Sequence, residues 1–201
     1  MSTVTEKIDA KQVKELRDKS GAPMGDCLKA LQEAKGDIEE AFVVLRKRGM
    51  ASAAKKASRT TNEGAVGTYI HAGGKIGVLV EVNSETDFVA RNPKFAELSR
   101  DIAMHVAAMS PKYVDRESVP LDTVERLRAE FRAAVPPGKS AEVQERIVEG
   151  KLTKWYEEHC LLDQAFVKDD TINVGELIFR AIGALGEKIR VRRFARYALG
   201  E

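Results

Sequence analysis

The stretch from Gly64 to Val82, with the sequence GAVGTYIHAGGKIGVLVEV, decides the fold class of this chain. Between Val66 and Ile70, β-branched residues alternate with other side chains, which is the spacing of a β-strand with one buried face. Residues 76–82 are again rich in valine and isoleucine, and residues 71–74 between the two runs contain two glycines, as a tight turn does. The stretch therefore predicts a β-hairpin.

The end of the chain alternates in the same way and predicts a third strand. We expect apolar side chains on one face of this strand and basic side chains on the other. The apolar face is Ile189, Val191, Ala195, Tyr197 and Leu199, and the basic face is Lys188, Arg190, Arg192 and Arg196. Paired with the hairpin, this strand would complete a small antiparallel sheet of about three strands.

Between the hairpin and the last strand, the apolar residues follow helical spacing. Asn92 and Pro93 predict a helix start, with asparagine as the N-cap and proline in the first turn. Further helices are predicted over residues 121–131, 140–149, 152–160 and 174–185, with a break at Gly150 and a loop at 166–170. Helices that cover a small sheet make an α+β fold.

The first fifty residues predict three short helices that share one small core. Asp9 with Gln12, and Asp37 with Glu40, have the spacing of capping boxes, and the third helix is expected to end at Gly49. The chain is thereby divided into a three-helix module over residues 1–50, a helical linker over 51–62 and an α+β core over 63–201.

The composition favours an ordinary soluble protein and excludes several other classes. The chain has 201 residues, with 33 Lys and Arg against 31 Asp and Glu, so its formal charge is only +2. A charge this balanced argues against a protein that binds nucleic acid over its whole surface. No stretch approaches the roughly 20 apolar residues of a membrane span, and the polar start has neither a secretory signal nor a transit peptide.

The sequence contains no recognisable set of catalytic or metal-binding residues. His71, His105 and His159 lack the spacing of a zinc site, and we interpret them as incidental. Cys27 and Cys160 are too far apart and too few for a disulfide framework, which favours a reducing cytoplasm. The glycines at 73–77 lie between strands rather than before a helix, so they do not form a phosphate-binding loop. We expect no enzyme and no cofactor.

Two features leave a binding function open. The basic face of the last strand could contact RNA phosphates, although a solvated or partner-facing strand is the favoured interpretation. The segment from Glu81 to Pro93 joins a strand to a helix and should lie on the surface, yet it contains Phe88 and Val89. Phe88 either turns inward into the core, or stands exposed beside Asp87 and Arg91 as an anchor for another protein.

The segment Thr86–Asn92, TDFVARN, resembles the signature of the bacterial elongation factor Ts family. Other matches occur in the same order along nearly the whole chain. They are residues 13–17 (VKELR), 21–22 (GA), 24 (M), 26–27 (DC), 29–31 (KAL), 36–39 (GDIE), 53–57 (AAKKA), 166–170 (FVKDD) and 189–193 (IRVRR).

The resemblance implies a guanine nucleotide exchange factor for elongation factor Tu, the GTPase that delivers aminoacyl-tRNA to the ribosome. Family members have an N-terminal module similar to ubiquitin-associated domains, which docks on the GTPase, and a core that presents the Thr-Asp-Phe-Val loop near the magnesium ion. Carried over to this chain, the loop is Thr86, Asp87, Phe88 and Val89. Further partner contacts are Val13, Arg17 and Met24 at an exposed edge of the module, together with Lys14, Arg91 and Asn92.

The resemblance also implies the binding partners. The chain would bind elongation factor Tu in its GDP-bound and nucleotide-free states, in the cytoplasm, and would not contact nucleic acid or a membrane directly. Its single core lobe resembles the short family form, which is expected to pair as a homodimer. Many relatives have Gly-Met-Met where this chain has Pro23-Met24-Gly25, and a lysine in place of Leu28. The alternative from a different class is a non-catalytic RNA- or peptide-binding module.

Overall fold

The computed structural model describes residues 8–201 and confirms the α+β prediction. The helices are α1 (Ala10–Ser20), α2 (Met24–Glu33), α3 (Ile38–Lys56), α4 (Asp87–Ala90), α5 (Pro93–Met109), α6 (Leu121–Ala133), α7 (Ala141–His159) and α8 (Val174–Leu185). The strands are β1 (Glu63–Ile70), β2 (Ile76–Ser84), β3 (Ala165–Phe166), β4 (Asp169–Asn173) and β5 (Arg190–Ala198). None of the helices in this described part is long and apolar enough to cross a membrane.

The described residues group into two compact units. The first contains the described chain up to Val66, together with Val82–Ser99 and Leu177–Arg190. The second contains Gly67–Glu81, Arg100–Glu176 and Val191–Glu201.

The first unit begins with the three predicted helices. The capping box of α1 is present, because Asp9 and Gln12 exchange side-chain and backbone hydrogen bonds. Asp37 accepts the backbone N–H of Glu40 at the start of α3, over 2.9 Å. The three helices bury one shared apolar cluster, which consists of Val13, Leu16, Cys27, Ala30, Leu31, Ala34 and Ala41.

Helix α3 does not end at Gly49, contrary to the prediction. It continues to Lys56, so the first part of the predicted linker is the last turns of this helix. A glycine inside a helix costs about 1 kcal/mol relative to alanine, which is too little to end a helix that good helix formers continue. Alanines and lysines follow Gly49 here, so the helix continues through it.

The hairpin and the last strand form the predicted three-stranded sheet, in the order β1-β2-β5. The hairpin turn is closed by the N–H of His71, which donates to the carbonyl oxygen of Ile76 over 2.9 Å. Val78, Val80 and Val82 of the central strand β2 are buried. The sheet therefore contributes one apolar face to the core, as the alternation predicts.

The predicted alternation in β5 holds only in its first half. Val191 is buried and Arg190 is exposed, as predicted. Tyr197 and Leu199, predicted on the buried face, are 75% and 77% exposed. The prediction for these two residues is wrong.

The cause is a change of phase within β5. Arg192 and Arg193 are both exposed, and both donate to the carboxylate of Glu81, over 2.9 and 2.7 Å. Two successive outward side chains shift every later side chain to the other face. Arg196 consequently lies inward, with only 14% of its side chain exposed, and its Nε donates to the carbonyl oxygen of Ala107.

Two further predictions fail in the second unit. Helix α7 runs unbroken through Gly150, because nothing at this exposed position requires a turn. The predicted loop at 166–170 is instead a small antiparallel hairpin of β3 and β4. Its strands are only 2 and 5 residues long, which is too short for the alternation to be read from the sequence.

One glycine is required by the close approach of β1 and β2. Gly64 has a φ of +144°, and a Cβ atom there would lie 2.2 Å from the carbonyl oxygen of Val82. We expect Gly64→Ala to reduce the free energy of unfolding by about 2 kcal/mol or more. Thermal denaturation followed by circular dichroism measures this loss.

The matched control is Gly150→Ala, where a Cβ atom meets no other atom within 4 Å. This change should stabilise α7 by about 0.5–1 kcal/mol. A Gly64→Ala protein as stable as wild type would show that β1 and β2 do not approach this closely.

Candidate functional site

The segment Thr86–Asn92 lies between β2 and α5 and contains the short helix α4. Thr86 is the N-cap of α4, with extended backbone angles of φ −127° and ψ 158°, and its hydroxyl oxygen accepts the N–H of Val89. The buried Ser84 donates its hydroxyl to the carbonyl oxygen of Thr86 over 2.9 Å. Local side-chain bonds thus turn the chain sharply from the end of a strand into a helix.

Phe88 is the exposed large apolar side chain of this segment. Its side chain is 85% exposed, whereas the next residue, Val89, is only 9% exposed. Successive residues of a helix point about 100° apart, and in this short helix Val89 takes the buried position while Phe88 points away from it. Of the two alternatives left open by the sequence, the structure shows the outward aromatic side chain, and Val89 is buried instead.

The flanks of Phe88 carry polar groups that complete the segment. Asp87 forms an ion pair with Arg91, one helical turn later, over 3.0 Å. The side chain of Asn92 accepts the N–H of Lys94 over 2.9 Å, which confirms the predicted cap at the start of α5. Phe88 is therefore surrounded by one acidic and one basic side chain, both at least partly exposed.

The start of α4 is held by residues that follow α8. The carboxylate of Glu187 accepts two hydrogen bonds from Thr86, one from its N–H over 3.0 Å and one from its hydroxyl over 2.6 Å. In return, the carboxylate of Glu85 accepts the N–H of Lys188 over 2.6 Å. Each segment thus donates a backbone N–H to a carboxylate of the other, and we name this pair of contacts the cross-clamp.

A second layer of contacts fixes the cross-clamp. Nη1 of Arg59 donates to both carboxylate oxygens of Glu85, over 3.2 and 3.3 Å. Nζ of Lys188 donates to the carbonyl oxygens of Ala57 and Arg59. The hydrogen bond from the N–H of Lys188, together with Arg59, holds the pKa of the Glu85 carboxyl below its ordinary value.

The N-terminal helices present part of the predicted second contact surface. Lys14 and Arg17 are exposed, and Met24 is 48% exposed. The expectation that Val13 lies on this exposed edge is wrong, because Val13 is 7% exposed and belongs to the apolar cluster of the three helices. It precedes the buried Leu16 by three residues and therefore shares its helix face.

The histidines and cysteines considered as candidate site residues have no arrangement for metal binding or catalysis in the described part of the chain. Within residues 8–201, no three histidine, cysteine or acidic side chains come together in a way that could hold a metal ion. His105 is buried and accepts the N–H of Val167, and burial lowers its pKa. Cys27 and Cys160 are free and buried, and burial raises both pKa values, that of Cys160 to about 12. Such thiols are poor nucleophiles at neutral pH.

Comparison with known proteins identifies the family. The family model described as Elongation factor TS matches residues 1–201. This chain belongs to the elongation factor Ts family. A relative of that name from Koribacter versatilis is 60% identical over 195 residues, which cover 96% of this chain and 89% of the relative. Elongation factor Ts of Geobacter sulfurreducens is 55% identical, and that of Thermosipho melanesiensis is 54% identical, with 90% and 100% of their lengths covered.

In this member of the elongation factor Ts family, sequence reasoning singled out the segment Thr86–Asn92 around α4 but missed the residues that hold it. Glu187 follows Thr86 by 101 positions and Lys188 follows Glu85 by 103. No local pattern links an acidic residue after a helix to the cap of another helix so far away. Only folding brings the segment with Glu85 and Thr86 next to the segment with Glu187 and Lys188.

The lowered pKa of Glu85 predicts an effect of pH on stability. The folded protein keeps this carboxylate ionised to lower pH than the unfolded chain does, so the unfolded chain binds more protons in acid. The stabilisation is present at neutral pH and is lost as the pH falls below about 4.5 and through the folded-state pKa. We expect Glu85→Gln to flatten this part of the profile, measured by urea unfolding at several pH values.

The Glu85→Gln protein should also be less stable than wild type at neutral pH, since glutamine loses the charged partner of Arg59. Asp163→Asn is the control for the loss of an ion pair elsewhere in the chain, because the Asp163 carboxylate pairs with Arg116 in the second unit. An acid profile in Glu85→Gln with the same slope as wild type would contradict the assignment to Glu85.

Proposed function

We infer that this chain is a guanine nucleotide exchange factor that acts without covalent chemistry. It binds elongation factor Tu in the cytoplasm, first with GDP and then free of nucleotide, and promotes GDP release so that GTP can bind. The exposure of Phe88 is the observation that carries this proposal. Phe88 is a large aromatic side chain, 85% exposed, on a segment that the family signature marks and the cross-clamp holds.

A GTPase holds its nucleotide through loop amides, a lysine and a magnesium ion that neutralises phosphate charge. A protein accelerates release when it binds better to a conformation in which these groups no longer fit the nucleotide. We expect the Phe88 side chain to wedge beside the magnesium site, with Val89 as its buried support. Asp87 lies next to it and would compete for nearby hydrogen bonds, while Thr86, whose N–H and hydroxyl are bound by Glu187, would keep this end of α4 in place. Together these residues would displace the magnesium ion.

The three-helix module supplies additional affinity. Met24 offers an exposed apolar contact, and Lys14 and Arg17 offer positive charge on the exposed surface of α1. Arg91 and Asn92 are further contacts beside Phe88. Val13 contributes through the module's core rather than through its surface. Burying one aromatic side chain is worth about 1.5–3 kcal/mol, so contacts beyond Phe88 are needed for a stable complex.

The basic strand gives less support to the alternative of an RNA-binding module. Arg192 and Arg193 pair with Glu81, and Arg196 pairs with Glu201. Nζ of Lys188 donates to two backbone carbonyl oxygens. Basic groups that are already engaged within the chain are less available for phosphates.

The decisive prediction concerns Phe88→Ala. The side chain lies in solvent, so its removal should leave the thermal midpoint within about 2 °C of wild type. The maximal rate at which saturating factor releases fluorescent GDP from elongation factor Tu should fall by about tenfold or more, since the wedge is lost. Stopped-flow fluorescence at several factor concentrations gives both the maximal rate and the half-saturating concentration.

Met24→Ala is the matched control for Phe88→Ala. It removes an exposed contact of the module, so it should raise the half-saturating concentration and leave the maximal rate unchanged. Undiminished GDP release with Phe88→Ala would refute the wedge. Strong, salt-sensitive retention of RNA without any effect on GDP release would favour the RNA-binding alternative.

The homodimer is the second part of the proposal. Within the second unit, the strands leave Ile70 67% exposed, Leu79 50% exposed and Tyr197 75% exposed. Large apolar side chains grouped on one sheet are typical of a surface that another protein covers. A second copy of this chain is the partner that the resemblance to the short family form suggests.

We expect Leu79→Glu to weaken this dimer, because a carboxylate would have to be buried without a partner. Sedimentation velocity over a concentration series measures the dimer fraction. Leu121→Glu is the control, since Leu121 is also exposed, to 81%, but lies at the start of α6. A wild-type chain that sediments as a monomer throughout the series would contradict the homodimer.

A further inference from the structure

Glu187 is engaged by the signature segment although it lies far from it in sequence. Its two carboxylate oxygens accept the N–H and the hydroxyl of Thr86, over 3.0 and 2.6 Å. Thr86 is the N-cap of α4, the helix that carries Phe88. Any movement of Glu187 therefore alters the hydrogen bonds that hold Thr86, the residue at which this helix starts.

The position of Glu187 is itself well defined. Helix α8 ends at Leu185, and Gly186 follows with a φ of +79° and donates its N–H to the carbonyl oxygen of Ile182 over 2.9 Å. Glu187 is thus the residue directly after a capped helix end. On its other side, the N–H of Lys188 is bound by Glu85.

Helix α4 needs this external support. It has four residues, whereas an isolated helix is marginal below about 12–15 residues. The bond from the N–H of Val89 to the Thr86 hydroxyl oxygen is long, at 3.5 Å. Because the hydroxyl proton is directed to Glu187, a lone pair of the same oxygen faces Val89.

We propose that Glu187 is a positioning residue for nucleotide exchange, which acts by holding Thr86 so that α4 presents Phe88 to the GTPase. This inference rests on the proposed exchange function. Glu187 acts through the cross-clamp and need not touch elongation factor Tu. Without the Glu187 carboxylate, the conformation that presents Phe88 becomes a smaller fraction of the free protein. The apparent affinity for the GTPase falls in proportion to this fraction.

The first test compares Glu187→Ala with Glu187→Gln. Alanine removes both acceptors of Thr86, whereas glutamine keeps one acceptor oxygen and one group able to bond the hydroxyl. We expect the half-saturating concentration for GDP release to rise about tenfold with alanine and about threefold with glutamine, with the maximal rate nearly unchanged. Asp163→Ala is the control for lost stability, since it removes the ion pair with Arg116 in the second unit.

The second test repeats Glu187→Ala in a Phe88→Ala background. If Glu187 acts by presenting Phe88, Glu187→Ala should change the half-saturating concentration for GDP release by less than about twofold once the Phe88 side chain is absent. Met24→Ala should keep its full effect in this background, because it acts from the three-helix module. Equal effects of Glu187→Ala in both backgrounds would overturn the positioning role.

A third measurement separates this inference from the exchange function itself. In the free protein, the N–H groups of Ala90 and Arg91 close α4 by donating to the carbonyl oxygens of Thr86 and Asp87. Hydrogen exchange at these two amides should become about tenfold faster in Glu187→Ala. Unchanged protection would refute the inference, whether or not the GTPase responds. Two results together would separate the two proposals: GDP release that is unchanged in Phe88→Ala, and faster hydrogen exchange at these two amides in Glu187→Ala. They would refute the exchange function and support the role of Glu187 in holding α4.

Discussion

The two carboxylates of the cross-clamp hold together the start of α4, which carries Phe88, and the segment that follows α8. Glu187 accepts the N–H of Thr86, and Glu85 accepts the N–H of Lys188. Hydrogen bonds to an ionised acceptor are about twice as strong as neutral ones, and they also fix direction. Helix α4, with four residues, has no stability of its own, so its axis is set by this cap and by the burial of Val89. The outward direction of Phe88 follows from both.

Phe88 contributes little to the folding of the chain. Leaving a phenylalanine in water forgoes about 1.5–3 kcal/mol that its burial would supply, and the inward orientation is the one that a sequence under selection for stability alone would favour. The surrounding contacts oppose that orientation. The N-cap at Thr86 starts a helix in which the buried position falls on Val89, and the ion pair between Asp87 and Arg91 spans the exposed side. The segment therefore keeps Val89 for the core and leaves Phe88 exposed, which is the arrangement that the proposed contact with the GTPase requires.

The elements that sequence reasoning predicted correctly are those whose signals are local. The capping box at Asp9, the cap at Asn92 and the hairpin around Gly73 each depend on residues a few positions apart. The errors at Gly49 and Gly150 arise because glycine permits a break without requiring one. The phase change in β5 falls where two successive arginines bind Glu81 of another strand. Likewise, the signature segment could be recognised from its residues, whereas the cross-clamp joins positions more than one hundred residues apart and exists only in the folded chain.

An exchange factor must act through a reciprocal coupling. If the factor weakens nucleotide binding by a given ratio, the nucleotide weakens factor binding by the same ratio. One buried aromatic side chain supplies about 1.5–3 kcal/mol, which is a ratio of about 10 to about 150. Under the proposed function, a Phe88 side chain held in place before binding would deliver this energy to the deformation of the nucleotide site, because little would be lost in ordering the side chain. A mobile α4 would lose part of the same energy when it became ordered. Under the proposed function, the contacts of Glu187 with Thr86 and of Glu85 with Lys188 would be the physical condition under which a single exposed phenylalanine acts on a partner's bound nucleotide.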